Sequence, residues 1–228
     1  MPILHARPRT SSEVAELPDR PDVVAAAKER GVEDVLHFTT VDGAIGILAA
    51  ETVKSRQRLP EETYLEHVYQ PNVEVRKDPA WLDYVNLSIS RINDWMFDAS
   101  VSWHGAKENP WVVLAFSVEL LGQPGVVFTT TNNIYPACRR AEGVDGFNQL
   151  FAEQVRGRYG DVHRREGKQR NWPTDRQAEV LYPGEVPCKF LRRIDVQKEE
   201  TIDAIAGILA GLGLTREVPI QHAPEVFR

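Results

Sequence analysis

The order of the apolar segments along this chain separates the main fold classes. Patterns typical of helices come early, as in residues 21–31, and again at the end, in residues 198–214. Patterns typical of strands crowd the middle and include the alternating run Tyr84–Ser90 and the apolar run Trp111–Leu121. A parallel sheet would need a regular alternation of strands and helices, and the sequence does not have one. The sequence therefore predicts an α+β fold, with a central, mostly antiparallel sheet, flanking helices and long loops.

The 228 residues predict one domain between two less regular ends. Residues 1–20 are rich in proline and arginine and lack the apolar stretch of a secretory signal, so we expect a flexible lead-in. We expect the domain itself to span residues 21–214 and residues 215–228 to form a loose tail. No apolar run approaches the length of a membrane span. Without a signal, the expected compartment is the cytoplasm.

The charge of the chain is negative overall and positive locally. Asp and Glu number 33 against 27 Lys and Arg, a formal net charge of −6, whereas non-specific nucleic-acid binders usually carry a basic excess. Arginines, a lysine and two aromatic residues, Tyr159 and Trp172, are nevertheless concentrated between Arg139 and Arg176. Such a patch can hold a nucleic-acid backbone while the net charge stays negative. The alternative is a solvated surface without a partner.

Several common kinds of site are missing from the sequence. There is no Walker-type loop, no GxGxxG after a strand and no GxSxG elbow. The histidines show no HxxxH or HxH spacing, so no metal site is expected. The two cysteines, Cys138 and Cys188, are expected to be reduced and buried. Three polar residues in or at the ends of strands remain as candidates for chemistry: His37, Arg91 and Glu179.

Glu179 gives the sharpest of these signals. It lies in the run Gln177–Tyr182, which predicts a short strand, and an ionised carboxylate in a buried strand is costly unless it is paired or faces a cleft. Gln177 and Glu179 would point to the same face of that strand. Such a pair after a long loop is typical of ADP-ribosyl transfer, in which the glutamate binds a ribose hydroxyl and stabilises positive charge as nicotinamide leaves. The alternative is a glutamate on the wet face of an edge strand.

His37 and Arg91 are suited to a phosphorylated ligand. His37 lies near the end of a predicted strand and just before a helix N-terminus, where anions are favoured. It is equally consistent with a core histidine that has found a hydrogen-bond partner. Arg91 ends the strand Tyr84–Ser90 and offers a guanidinium fork to a diphosphate or a carboxylate, or is only solvated.

The strand before Arg91 has one small, polar face. Asn86, Ser88 and Ser90 alternate with Leu87 and Ile89, so the two sets of side chains point to opposite faces. A polar face of this kind is expected of a strand that lines a cleft.

Three stretches, taken in order, resemble the DarT family of DNA ADP-ribosyltransferase toxins from bacterial toxin–antitoxin systems. They read LHFTTVDGAIGIL (residues 36–48), YVNLSISRINDWMF (84–97) and DRQAEVLYPGEVP (175–187). The first is similar to the family's NAD-binding motif, the second to its central strand with an essential arginine, and the third to its closing strand with the catalytic glutamate. The resemblance implies an ADP-ribosyltransferase fold that uses NAD as a substrate and needs no metal.

The resemblance also implies roles for the residues at matching positions. Glu179 would be the catalytic glutamate, and Arg91 would contact NAD and be needed for the chemistry. Residues 52–79 would fold over NAD, and residues 132–176 would form the loop that reads the substrate. The remaining NAD-binding residues would be His37, Phe38, Thr39 and Gly46. Apart from the resemblance, basic, aromatic and polar side chains in and next to this loop could clamp and stack a single strand. The expected nucleic-acid-binding residues are Arg158, Tyr159, Arg164, Arg165, Trp172, Arg176 and Gln177.

The central motif bears on the target base. It reads NLSIS over residues 86–90, whereas the members that modify thymidine carry an aromatic and proline-rich motif, and a second branch acts on guanine. The resemblance therefore implies transfer of ADP-ribose from NAD onto single-stranded DNA, with guanine favoured over thymine. It also implies an antitoxin that removes ADP-ribose and a role in stress or phage defence. Transfer to RNA or protein, and a nucleic-acid-binding module without catalysis, are the alternatives.

Overall fold

An eight-stranded sheet forms the centre of the structure. The computed structural model describes residues 6–59, 79–104, 110–213 and 218–228. In chain order the strands are β1 (Asp34–Thr40), β2 (Thr52–Lys54), β3 (Tyr84–Ile89), β4 (Trp111–Ser117), β5 (Val127–Thr129), β6 (Arg140–Glu142), β7 (Gln154–Arg156), β8 (Val162–Arg164), β9 (Glu179–Pro183), β10 (Glu185–Pro187), β11 (Leu191–Val196) and β12 (Ile220–His222).

The strands of the large sheet follow the order β12-β11-β4-β1-β3-β9-β5-β6. Only the edge pair β11–β12 is parallel; the other neighbours are antiparallel. Two small ladders, β2–β10 and β7–β8, lie outside this sheet. The predicted α+β class with a mostly antiparallel sheet is confirmed.

The described helices are distributed along the whole chain. They are α1 (Ser11–Ala15), α2 (Pro21–Arg30), α3 (Val41–Ala50), α4 (Asp94–His104), α5 (Gly143–Gln149) and α6 (Glu200–Gly211). The predicted helix in residues 21–31 is confirmed: Pro21 opens α2, and Gly31 closes it in the left-handed conformation at φ 79°. Among the helices that the structure describes, none has the length and apolar character needed to cross a membrane.

The two faces of the sheet are covered by different apolar clusters. The larger cluster includes Val85, Leu87 and Val180 and is the main core. On the other face, a smaller cluster built around Leu36 and Phe97 packs against β1 and β4. Both cysteines are buried thiols, as expected.

Both ends of the chain pack more tightly than the sequence suggests. In the expected lead-in, the Ala6 N–H donates to the Arg140 carbonyl at 2.8 Å, and the Arg9 guanidinium pairs with Glu142. In the expected loose tail, β12 adds a strand to the sheet and Phe227 is buried in the smaller cluster. Parts of residues 6–20 and 218–228 therefore make tertiary contacts that the sequence pattern does not indicate. The domain bounds at residues 21 and 214 stay a prediction.

The sheet divides beside β1. β1 pairs with β4 along its whole length, from Asp34 to Thr40, but with β3 only at Val35 and Leu36. Beyond that point β3 pairs with β9, from Tyr84 to Leu87. The strands β1 and β3 therefore separate after Leu36 and leave a fork between the two halves of the sheet. The fork lies level with the start of β9.

Candidate active site

Glu179 is the first residue of β9 and faces away from the main core. Val180 pairs with Leu87, and both side chains belong to the main core. Because neighbouring residues of a strand point to opposite faces, Glu179 and Ser88 lie on the other face. Glu179 is half-buried there. The carboxylate thus lies on the face of β9 opposite the main core.

Two donors hold the two oxygens of the Glu179 carboxylate. The Asn86 side-chain amide donates to Oε1 at 2.9 Å, and the Asn133 backbone N–H donates to Oε2 at 2.8 Å. These two donors fix the plane of the carboxylate.

The Asn133 donor comes from a buried segment, residues 129–133, which we call the strap. Thr129 bridges the strap to β9: its Oγ1 accepts from the Glu179 N–H at 3.2 Å and lies 2.9 Å from the Thr131 carbonyl, to which it donates. All five strap residues are at most 5% exposed. Asn133 was not among the site residues predicted from the sequence, although the polar, loop-forming residues around it indicate a change from strand to turn.

His37 bridges the fork between β1 and β3. Its Nδ1 lies 3.1 Å from the Asn86 carbonyl. A carbonyl oxygen only accepts, so Nδ1 carries the proton in this bond. Burial lowers the pKa of His37 below its ordinary value, and the bond to the carbonyl opposes that shift only in part. The neutral ring therefore links β1 to the same asparagine that binds Glu179.

The other predicted NAD-binding residues have contrasting surroundings. Phe38 packs edge-on against Phe97 and Trp111, with ring centroids 5.5 and 5.9 Å apart. Thr39 lies so close to Gly43 that a Cβ there would stand 2.3 Å from its Oγ1. Gly46 is exposed on α3, and a Cβ would meet no described atom within 4 Å. Phe38 and Thr39 thus pack against described neighbours, whereas Gly46 borders open space, and their binding of NAD stays a prediction.

Arg91 follows β3 after a strained residue. Ser90 has a φ of 61°, a left-handed conformation that costs a non-glycine residue on the order of 1–3 kcal/mol. The Arg91 guanidinium pairs with Asp94 at 3.0 Å and lies 4.8 Å from the centroid of the Trp172 ring. Within the described residues, the Arg91 Nε is buried without a hydrogen-bond partner. Strain and an unpaired donor at one place are typical of a binding site.

Asp94 joins Arg91 to the basic segment. It binds Arg176 as well as Arg91, so one carboxylate lies between two guanidinium groups. Trp172, stacked on Arg91, belongs to the same segment. The structure therefore brings Trp172 and Arg176 to Arg91. Asp94 was not among the candidates, and its position three residues after Arg91 is a signal for it.

Arg158 connects the tip of the β7–β8 hairpin to the turn before β9. Its guanidinium lies 4.6 Å from the centroid of Tyr159 and 5.8 Å from that of Tyr135. The Tyr135 hydroxyl donates to the Gln177 side-chain oxygen at 2.8 Å. Tyr159 is 86% exposed and has a φ of 57°. The four side chains form a continuous row, which we call the tyrosine–arginine row.

The position of Gln177 differs from the prediction. β9 begins at Glu179, and Gln177 lies in the preceding turn, where its N–H donates to Asp175 at 2.9 Å. The argument that Gln177 and Glu179 share one strand face is therefore wrong. The buried Asp175 carboxylate ends the extended pattern early because it binds the backbone of this turn.

Arg165 and Arg164, the two remaining basic candidates, differ in the contacts that they make. Arg165 donates to the carbonyls of Gln169, Arg170 and Trp172, so its guanidinium organises the segment that carries Trp172. Arg164 is exposed on β8. The structure therefore gives Arg165 a structural contact and leaves Arg164 facing solvent.

Neither a pocket elsewhere in the structure nor the described metal-ligating side chains indicate a further site. A pocket of about 240 Å³ lies at the far end of β9, near Pro183, and its Arg58 and Asp83 already bind each other. No group of three potential metal ligands occurs among the residues that the structure describes. The expected NAD cover, residues 52–79, lies outside the described residues from 60 to 78.

Comparisons with known proteins agree with this geometry. The model of the family described as "DarT: ssDNA thymidine ADP-ribosyltransferase, DarT" matches residues 36–228. No curated protein matches the chain.

Solved structures show the same fold. The structure of Thermus sp. 2.9 DarT in complex with NAD+ matches at 17% identity and a TM-score of 0.58, covering 86% of this chain and 98% of that one. Thermus sp. 2.9 DarT in complex with ADP-ribosylated ssDNA matches at 17% identity and a TM-score of 0.60, with 86% and 96% covered. Thermosipho africanus DarTG in complex with ADP-ribose matches at 13% identity and a TM-score of 0.59, with 86% and 51% covered. Because the family model spans most of the sequence, the chain belongs to the DarT family of NAD-dependent, single-stranded-DNA ADP-ribosyltransferases.

Proposed function

We propose that this chain transfers ADP-ribose from NAD onto guanine in single-stranded DNA, with Glu179 as the catalytic residue. The observation that carries the proposal is the Glu179 carboxylate, held by Asn86 and Asn133 on the face of β9 opposite the main core. A carboxylate held in a fixed orientation is suited to binding a ribose hydroxyl. It also stabilises the positive charge that develops on the ribose as nicotinamide departs.

The NAD side of the site is formed by β1, α3 and the end of β3. Arg91 supplies a guanidinium for the diphosphate, with its Nε unpaired within the described residues. Thr39 lies beside the start of α3, where backbone N–H groups favour an anion. His37, Phe38 and Gly46 are the further residues that we assign to NAD binding.

In the reaction, the bond from the ribose carbon to the nicotinamide nitrogen breaks, and nicotinamide leaves with the bonding electrons. A nitrogen of the target base forms a new bond to the same carbon and loses its proton. The Glu179 carboxylate can accept that proton, whereas the Arg91 guanidinium is already protonated and can only donate hydrogen bonds. A single-stranded substrate fits, because a base within a duplex hides its reactive nitrogen.

The DNA side of the site is the tyrosine–arginine row together with Trp172 and Arg176. An exposed tyrosine stacked on an arginine offers a base a surface for stacking, and the guanidinium also attracts phosphate. Arg164 adds charge on the same hairpin. The row leads from Tyr159 to Gln177, two residues before Glu179, and so directs a bound strand toward the carboxylate.

The proposal also covers the target base, a partner antitoxin and the biological role. The family description names thymidine, whereas the NLSIS motif in residues 86–90 favours guanine. One solved relative is DarTG in complex with ADP-ribose. We propose a partner antitoxin that removes ADP-ribose from DNA and a role in phage defence. The substrates, NAD and cellular DNA, place the reaction in the cytoplasm.

The test is transfer of label from NAD to defined oligonucleotides. Wild type, Glu179→Gln and the exposed control Glu185→Gln are incubated with labelled NAD and single-stranded DNAs that each lack one base, with matched RNAs in parallel. We expect label on DNA with wild type and Glu185→Gln, loss of label with Glu179→Gln, and loss with the oligonucleotide that lacks guanine. Loss only without thymine would move the target to thymine. Label on RNA alone, or NAD left intact by the wild type, would contradict the proposal.

A further inference from the structure

Arg140 binds the strap residue that holds Glu179. The Arg140 Nε donates to the Asn133 side-chain oxygen at 2.6 Å, and its Nη2 donates to the Asn133 carbonyl. Its Nη1 lies 3.4 Å from the Cys138 carbonyl, to which it donates. One guanidinium thus closes the chain between residues 133 and 140 through three acceptors. Its planar fork is suited to this task, because the donors are fixed relative to one another.

Asn133 is fixed at both ends by these contacts. Its side chain and carbonyl are bound by Arg140, and its N–H donates to the Glu179 Oε2 at 2.8 Å. Asn133 is 1% exposed, so a loss of these partners cannot be compensated freely by water. The direction of the N–H therefore depends on the position of Arg140.

The surroundings of Arg140 separate it from the DNA-binding arginines. It lies on β6, half-buried, with its guanidinium 5.9 Å from the centroid of Trp81. Its backbone carbonyl is bound by the N–H of Ala6. Arg139, the preceding residue, is exposed. The two adjacent arginines of the basic segment therefore have different environments.

We propose that Arg140 is a positioning residue for catalysis, which sets the Glu179 carboxylate through Asn133 and does not contact DNA. The inference rests on the proposed role of Glu179. Removal of the guanidinium would loosen the strap and misdirect the carboxylate, and a small misplacement of a reacting group lowers kcat by roughly tenfold to 100-fold. The KM for DNA would stay near that of the wild type.

The kinetic test compares Arg140→Met with the matched control Arg139→Met. Initial rates give kcat and the KM values for NAD and DNA, and DNA affinity is measured across a series of salt concentrations. We expect Arg140→Met to lower kcat with an unchanged salt dependence of DNA binding. A higher KM for DNA, a shallower salt dependence and an unchanged kcat would show a phosphate contact and overturn the proposal.

Two further variants separate positioning from charge. Arg140→Lys keeps the charge but cannot reach the Asn133 side chain and carbonyl with a fixed fork, so we expect it to restore little activity. Asn133→Ala removes the side-chain acceptor, and its effect on kcat should not add fully to that of Arg140→Met. Full rescue by lysine, or complete additivity, would contradict the role. Melting temperatures identify any variant that fails to fold.

An activity-independent measurement keeps this inference distinct from the proposed function. Hydrogen exchange at the Asn133 amide should be slow in the wild type and Arg139→Met, and faster by about tenfold or more in Arg140→Met, because the strap opens locally. This result is expected even when the wild type fails to modify DNA, an outcome that would overturn the proposed function alone. Equal protection in Arg140→Met and the wild type would overturn the role of Arg140.

Discussion

Glu179 and Arg91, the two residues assigned to the chemistry, are held in different ways. Glu179 is bound by a strand asparagine and a backbone N–H, groups with little freedom to move. Arg91 is bound by the Asp94 carboxylate and by the Trp172 ring, a side chain of the basic segment. In the proposed reaction, a phosphate at Arg91 would compete with Asp94 for the guanidinium. We therefore expect the Glu179 half of the proposed site to be preorganised and the Arg91 half to exchange its partners as substrates bind.

The largest expected effect on the rate of transfer comes from substituting Glu179, in the preorganised half of the site. Glu179→Gln should lower the rate of transfer by on the order of 100- to 1,000-fold, because it removes the charge that stabilises the ribose cation. NAD affinity, measured by calorimetry, should change by only a few-fold. A large loss of NAD binding with a normal rate at saturation would show that Glu179 serves binding and not chemistry.

A smaller effect should follow from altering the exchangeable half. Arg91→Lys keeps the charge but loses the fork and the stacking on Trp172, so we expect kcat/KM for NAD to fall about tenfold to 100-fold. The matched control is Arg176→Lys, which changes the other partner of Asp94. If both variants lost the same activity, the difference assigned to Arg91 would not hold.

Trp172 tests whether the exchangeable half also serves DNA. Stacking of one base on an aromatic ring is worth about 1–3 kcal/mol, so Trp172→Ala should weaken binding of a single-stranded oligonucleotide by roughly five- to 150-fold. Trp95→Ala, at an exposed site on α4, is the control. Fluorescence anisotropy measures both affinities. An unchanged affinity in Trp172→Ala would limit Trp172 to its contact with Arg91.

The smallest expected effect is a pH dependence of stability at the fork. Burial lowers the pKa of His37 in the folded state, and the ordinary pKa of about 6.5 applies to the unfolded chain. Below pH 6.5 the unfolded state therefore binds a proton that the folded state does not, and stability falls until the folded pKa is reached. In His37→Gln, the loss of stability that comes from protonation of this histidine in the unfolded state should be absent. Urea unfolding between pH 5 and 8, with His222→Gln as control, measures it.

The sequence predicted the half of the site that depends on local pattern. Glu179, its strand and the polar face of Asn86 and Ser88 follow from alternation, because side-chain direction in a strand is a local property. The roles of Asn133 and Arg140 could not be predicted, because the strap meets β9 only through tertiary contacts. The assignment of Arg165 to DNA overlooked its bonds to carbonyls for the same reason.

The packing of the chain ends also depends on tertiary contacts that a local sequence pattern does not show. Prolines in residues 6–20 and 218–228 indicated irregular structure, but short segments with prolines can still pair or pack at the edge of a sheet. The pairing of β12 with β11 is decided by the sheet that is already present. A single sequence does not show which edge is open.

The short edges of the large sheet have a consequence for how the molecule resists self-association. Its two outer strands, β12 and β6, are three residues each, and the N–H of Ala6 already occupies a carbonyl of β6. Long, unpaired edges recruit strands from other copies, whereas very short ones do not. Loss of residues 218–228 would bare the six-residue strand β11, which contains the buried Ile194 and Val196. We therefore expect removal of the C-terminal segment to favour intermolecular strand pairing through β11, an effect independent of the reaction.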